Sequence, residues 1–226
     1  MNKVAFFREV RASLFGGKLK PKQVSGMEFI LDQWNRTGFT NRQWLAYALA
    51  TAFHETAFTM QPIREYGRGK GHTYGRPDSI TGQTYYGRGY VQLTWKANYE
   101  KASRALGIDF VNSPDLVMEP KNAAHIMFRG MAEGWFTGKE FADYINSAQR
   151  DYWNARRIIN GTDKAGQIAD YALRFEAALD AAYDAGIPAS DTEPQPTPIP
   201  TPIPTPKPQQ HWLTSLLLAI WKAFRR

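Results

Sequence analysis

In the stretch TNRQWLAYALATAFHETAF, residues 40–58, the apolar positions Leu45, Ala48, Leu49, Ala52 and Phe53 recur at intervals of three and four. That spacing gathers them on one face of an α-helix. Thr40, with Gln43 three residues on, forms a capping box just upstream. This is the best-defined helix before residue 60. The steps from Trp44 to Ala48, Ala52 and Glu55 stay on one face, so an apolar stripe ends on a carboxylate. Burial disfavours the charge of Glu55, and so does the negative end of the helix dipole. Both favour the protonated form that a general acid needs. The competing reading is a frayed helix end with Glu55 in water.

Downstream, helices are expected over Lys96–Leu106 with Gly107 as the stop, over Pro120–Trp135 with proline at the start, and over Ile168–Tyr183. The chain therefore reads as a mainly α-helical domain. Between Tyr66 and Tyr90 it carries seven glycines and five tyrosines, which suits an irregular insertion better than a packed helix. Thr84–Thr94 has room for a short β-hairpin around Gly87 and Gly89. Glu65 enters this segment beyond Pro62 and beside Arg64. An arginine neighbour keeps a loop carboxylate ionised, as a base requires, although a solvated surface glutamate fits the same position. Thr94 precedes the helix that begins near Trp95, and it can cap that helix, hold a water, or do both. Two carboxylates in contrasting settings are the arrangement of glycoside hydrolysis.

Composition bounds the rest. Of the 14 prolines in 226 residues, nine fall between Pro188 and Pro208, eight of them at every second position from Pro194. A globular domain of residues 1–186 is thus followed by a Pro-rich linker, 187–210, and a final segment, 211–226. The linker is expected as polyproline II, able to reach about 65 Å at ~3.1 Å per residue. Cysteine is absent, which excludes disulfides, thiolate zinc sites and cysteine nucleophiles. The four histidines are not paired at metal-ligand spacing, and neither a phosphate loop, a dinucleotide fingerprint nor a serine elbow occurs. No metal or cofactor is expected. The net charge of +7 points to an anionic partner, and residues before Gly186 hold 24 basic against 19 acidic groups.

Three blocks then carry a resemblance: HETAF from His54, YYGRGYVQLTWKANYE from Tyr85 and ARRIINGT from Ala155. Together they resemble glycoside hydrolase family 19, the chitinase-like fold shared by plant chitinases and many bacteriophage endolysins, over most of residues 40–180. The resemblance implies a lysozyme-like helical domain that cleaves β-1,4 bonds next to N-acetylated sugars with inversion. It implies Glu55 as general acid, Glu65 as the base that activates water, and Thr94 as the hydroxyl that positions that water. Gln92, Asn98 and Asn160 fall on positions associated with substrate binding, and the tyrosine pair Tyr85 and Tyr86 is expected to join them.

The final segment helps choose a substrate. Polar residues at 211, 215, 222, 225 and 226 share one helical face, and apolar residues cover most of the remainder. A 16-residue helix is about 24 Å long, short of the ~30 Å hydrocarbon core, so it is expected as a cationic amphipathic helix lying on anionic lipid. Its membrane-binding residues are Trp212, Trp221, Lys222, Arg225 and Arg226. Docking back on the domain or oligomerisation is the competing role. Such a helix suits an endolysin acting on bacterial peptidoglycan between N-acetylmuramic acid and N-acetylglucosamine. The longest N-terminal apolar run, Val4–Phe7, is too short for an export signal. The enzyme is accordingly expected as a monomer in the host cytoplasm until a holin-like pore admits it to the wall. A chitinase and a non-catalytic glycan-binding module are the alternatives. Nucleic acid, which the arginines and tyrosines of residues 64–90 would suit alone, is not expected as a partner given the family blocks.

Overall fold

The computed structural model describes residues 1–185, which form seven α-helices and one two-stranded antiparallel ribbon. The expected linker and C-terminal helix, with Trp212, Trp221, Lys222, Arg225 and Arg226, lie outside the described residues.

Helix α1 spans Lys3–Ser13 and α2 spans Pro21–Thr37, two elements that the sequence reading did not single out. Asn2 Oδ1 caps α1 by accepting from Ala5 N at 3.1 Å. Proline opens α2, where its missing N–H costs nothing, and Gly38 closes it at φ 74°. Helix α3, Arg42–Glu55, is capped by Asn41, whose Oδ1 accepts from Gln43 N at 2.9 Å. The expected Thr40 box is corrected on this point, because the Gln43 amide reaches across to Glu176 Oε1 at 3.0 Å.

Every residue of α3 from Leu45 to Glu55 is buried. Its alternating alanines let neighbours close in from all sides. Helix α4 is Lys96–Leu106, ended by Gly107 at φ 66° as expected. Helix α5, Pro120–Ala132, stops short of Trp135 because Gly134 turns left-handed at φ 65° and Trp135 N bonds back to Gly130 O. Short α6, Phe141–Tyr144, precedes α7, Ala165–Asp184. Helix α7 packs on α3 and α1, and α2 packs on α5.

Aromatic rings weld these layers. Trp44 stacks on Phe141 at 5.0 Å while its Nε1 donates to Ile145 O, and Phe53 meets Phe15, Tyr171 and Phe175 edge-on. Each fully buried side chain of this size contributes about 1.5–3 kcal/mol. A second cluster, including Tyr85, Leu93, Tyr99, Phe110, Val117 and Trp135, sits beneath the irregular segment.

The ribbon joins β1, Ile63–Arg64, to β2, Arg88–Gly89, with Ile63 opposite Gly89 and Arg64 opposite Arg88. The expected hairpin survives as a tight closure in which Arg88 and Leu93 exchange both backbone bonds, at 3.2 and 2.8 Å. The net effect is to bring Glu65, at the end of β1, beside Gly87.

Candidate active site

Helix α3 ends at Glu55 for a local reason. Thr56 Oγ1 donates to Ala52 O at 2.7 Å and accepts from Met60 N at 3.0 Å, and Ala57, Phe58 and Met60 follow at φ 54°, 65° and 55°. Three non-glycine residues in the left-handed region cost backbone energy, which the surrounding packing holds in place. Glu55 thereby lines an open cleft.

The setting of Glu55 differs from the expected apolar one. Arg156 Nη1 donates to Glu55 Oε1 at 2.6 Å, and the two side chains are 3% and 4% exposed. Arg156 comes from a 3₁₀ turn, Asn154–Ile158, and its Nε donates to Asp163 O at 3.1 Å. The second carboxylate oxygen, Oε2, receives no hydrogen bond from the described residues. His54, the preceding residue, is buried, its Nε2 lacks a hydrogen-bond partner among the described residues, and burial pulls the imidazole below its ordinary titration range.

Glu65 also has partners other than the one expected. Arg64 turns away to Asp115 at 3.0 Å. Glu65 Oε1 instead accepts from the Tyr74 hydroxyl at 2.9 Å, and Oε2 accepts from Gly87 N at 3.0 Å. Burial, and then the bond to Glu65, push the Tyr74 phenol well above its ordinary range, so it stays a donor. Gly87 links this carboxylate to the cleft. A Cβ there would lie 2.8 Å from Gln92 Oε1 and 3.3 Å from Thr94 Oγ1, so any larger residue would push on both side chains.

Thr94 lines the cleft but does not cap α4. Trp95 occupies that position at φ 74°, without a side-chain cap bond. Thr94 Oγ1 donates to Gln92 O at 2.8 Å. Its only proton thus engaged, the hydroxyl can offer lone pairs alone to the cleft.

Of the expected binding residues, Gln92, Asn98 and Asn160 line the cleft together with Val91, Trp95 and Phe136. The Gln92 amide donates to Ile63 O at 3.1 Å and Gly89 O at 3.3 Å, which fastens the ribbon. Asn98 Nδ2 donates to Thr94 O, and Asn160 Oδ1 accepts from Gly161 N, which leaves Asn98 Oδ1 and Asn160 Nδ2 for a ligand. Tyr85 and Tyr86 lie elsewhere. The Tyr85 ring is buried in the second cluster with its hydroxyl donating to Val111 O at 3.1 Å. The Tyr86 face is covered by Arg88, whose Cζ lies 3.6 Å from the ring centroid. Neither lines the cleft. Arg156 and Tyr74, which bond the two carboxylates, are partners that sequence reasoning missed. The ARRIINGT block holds Arg156, but a 3₁₀ turn carries no helical stripe to mark it.

Among the described residues, no cluster of three or more His, Asp or Glu could hold a metal ion, and no helix is long and apolar enough to cross a membrane.

Comparison with known proteins locates this geometry. The family model described as Chitinase class I, glycoside hydrolase family 19, matches residues 47–162. Endochitinase A2 of Pisum sativum is 32% identical over 108 residues, covering 40% of this chain and 32% of that protein. Chitinase 11 of Oryza sativa subsp. japonica is 32% identical over 148 residues, covering 57% and 55%. The chain thus spans about a third to a half of the length of these two relatives. The crystal structure of chitinase C from Streptomyces griseus HUT6037 matches with a TM-score of 0.53 at 22% identity, over 80% of this chain and 76% of that one. At that identity the likeness concerns the fold.

Proposed function

This chain belongs to glycoside hydrolase family 19, the Chitinase class I family, and on that basis we propose that its cleft hydrolyses β-1,4 bonds of an N-acetylated glycan with inversion. The observation that carries the reading is the placement of two differently held carboxylates: Glu55 lines the cleft, and Glu65, which is not among the lining residues, accepts from the N–H of Gly87, a glycine that stands beside the Thr94 hydroxyl of the cleft wall. Glu55, carrying a proton on the Oε2 that Arg156 leaves free, donates it to the glycosidic oxygen as the C1–O bond breaks. Glu65 accepts a proton from a water whose oxygen bonds to C1 from the opposite face. Thr94 Oγ1 accepts the other O–H of that water and so aims it. Room for a water between the carboxyls is the mark of inverting enzymes, whose carboxyl groups stand ~6.5–9.5 Å apart. Asn98 Oδ1 and Asn160 Nδ2 supply an acceptor and a donor for an acetamido group.

The finer reading is a bacteriophage-type endolysin cutting peptidoglycan between N-acetylmuramic acid and N-acetylglucosamine and causing cell lysis, held in the cytoplasm until a holin-like pore opens. It is supported by the cationic charge and by the apolar, tryptophan-bearing sequence of residues 211–226, read as binding anionic membrane lipid. Deletion of residues 209–226 should spare hydrolysis of purified wall and reduce killing of intact cells, whereas equal killing would remove the membrane role.

The second reading, a chitinase, is favoured by the likeness to Endochitinase A2 and Chitinase 11. Mass analysis of fragments released from purified peptidoglycan and from chitin oligosaccharides separates the two. In both cases Glu55→Gln should lower turnover at least about a hundredfold, the scale of one general acid, with the fold intact. Near-normal turnover would reject the assignment.

A further inference from the structure

The segment between Glu65 and Tyr74 leaves the cleft margin and returns to it. Tyr74 closes it by donating to Glu65, stacks on His72 at 5.0 Å, and meets Trp95 of the cleft wall edge-on at 5.0 Å. Within the loop, successive turns run from Arg68 N to Glu65 O, from Lys70 N to Gly67 O and from His72 N to Gly69 O. Where the loop crosses itself, a Cβ on Gly75 would fall 2.0 Å from Gly69 O, so the two strands touch through bare backbone. This is a pinned, ordered excursion of the kind that functional Ω-loops make.

Its charge is one-sided. Arg68, Lys70 and Arg76 are exposed, and none forms an ion pair among the described residues. No acidic residue occurs between Glu65 and Asp78. The nearby carboxylates are already engaged, Asp78 by Lys96 and Asp115 by Arg64 and Arg88. Three uncompensated cations on a rigid loop at the rim of a glycan cleft attract an anion on the same ligand, within the ~8 Å screening length of physiological salt.

Resting on the reading of the cleft as a glycan site, we propose that the loop of residues 66–76 binds carboxylates of the substrate, through Arg68, Lys70 and Arg76, and so selects an acidic glycan over a neutral one. Chitin carries no such group. Peptidoglycan carries carboxylates on its stem peptides, and removal of a stem peptide frees the lactyl carboxyl of its muramic acid, to which that peptide is amide-linked.

The test uses the full chain and purified peptidoglycan sacculi in three forms: native, amidated at their carboxylates, and stripped of stem peptides. The wild type should bind native sacculi more tightly than amidated ones, by about three- to tenfold for three screened contacts. The triple variant Arg68→Gln, Lys70→Gln, Arg76→Gln should lose that preference and its salt dependence while turning over a neutral chitin hexasaccharide as the wild type does. Tight binding confined to native sacculi assigns the stem-peptide carboxylates, and equally tight binding to peptide-free strands, whose lactyl carboxyls the stripping has freed, shows that the loop takes either carboxylate. Equal wild-type binding to native and amidated sacculi overturns the proposal, as does a triple variant that keeps the preference. Salt-sensitive binding to single-stranded DNA with no difference between the two sacculi also overturns it, in favour of nucleic acid. Binding preference without hydrolysis of any glycan would reject the hydrolase reading and leave the loop assignment standing.

Discussion

Arg156 Nη1 donates to Glu55 Oε1 across 2.6 Å, joining two buried side chains 101 residues apart in sequence. The pair fastens the end of α3 to the 3₁₀ turn that precedes Asn160, so one ion pair ties two walls of the cleft. Removing one member of a buried pair strands the other charge, at about 3–5 kcal/mol. Arg156→Ala should therefore lower the free energy of unfolding by roughly that amount, read from urea denaturation with an unchanged m-value. A loss below about 1 kcal/mol would show that water reaches the pair and that its burial has been overstated.

Tyr74 offers a narrower probe of Glu65. Tyr74→Phe deletes the hydroxyl that donates to Oε1 while keeping the ring against His72 and Trp95, and Gly87 N still holds Oε2. A hydrogen bond to a charged group is worth about 1.5–3 kcal/mol. If half of that is felt in the barrier, kcat falls about three- to tenfold, with KM nearly unchanged because Tyr74 is not among the residues lining the cleft. Steady-state rates on soluble peptidoglycan fragments check this, and a rise in KM at constant kcat would place Tyr74 in binding instead.

What could be read from sequence follows from how local the physics is. The period of α3 delivers Glu55 to the edge of the core, and α4 stops where Gly107 permits. The stripe Met27, Ile30, Leu31 and Trp34 in α2, opened by Pro21, is also a local signal. The partners of the carboxylates are not local. Arg156 meets Glu55 through tertiary packing, and Gly87 meets Glu65 through ribbon pairing across 22 positions. The Tyr85–Tyr86 pair shows the same limit. Adjacent aromatics in an irregular segment carry no period, so nothing in their order reveals that one enters a core cluster and the other lies under a guanidinium.

His54 makes stability depend on pH. Burial chiefly, with Arg156 adding to it and Glu55 opposing, lowers its pKa below the ordinary value of 6.5. Between the lowered folded value and 6.5 the unfolded chain binds a proton that the folded chain refuses, so stability falls as pH drops through that window and is level above it. His125 shifts in the same direction, again mainly by burial, and adds to the slope. His54→Phe should flatten the pH 5–7 dependence of the urea midpoint without abolishing it. At pH 7.5 it should not destabilise, because the buried Nε2 has no bond to lose. An unchanged slope would mean that His54 titrates normally in the folded chain.

Gly26 tests the packing of α2 against the turn that follows Glu55. In an exposed helix, replacing glycine by alanine gains about 1 kcal/mol. Here a Cβ would fall 1.8 Å from Met60 O, a backbone atom in the strained turn of left-handed residues that carries the chain away from Glu55. Backbone cannot step aside as a side-chain tip can, so α2 or the turn must move, at about 1–3 kcal/mol or more for overpacking. The steric cost exceeds the propensity gain, and Gly26→Ala should lower the melting temperature. Because the displaced turn positions Glu55, turnover should drop with it even at temperatures where the variant stays folded. A variant with a raised melting temperature and full activity would show that α2 stands farther from Met60 than the fold described above requires.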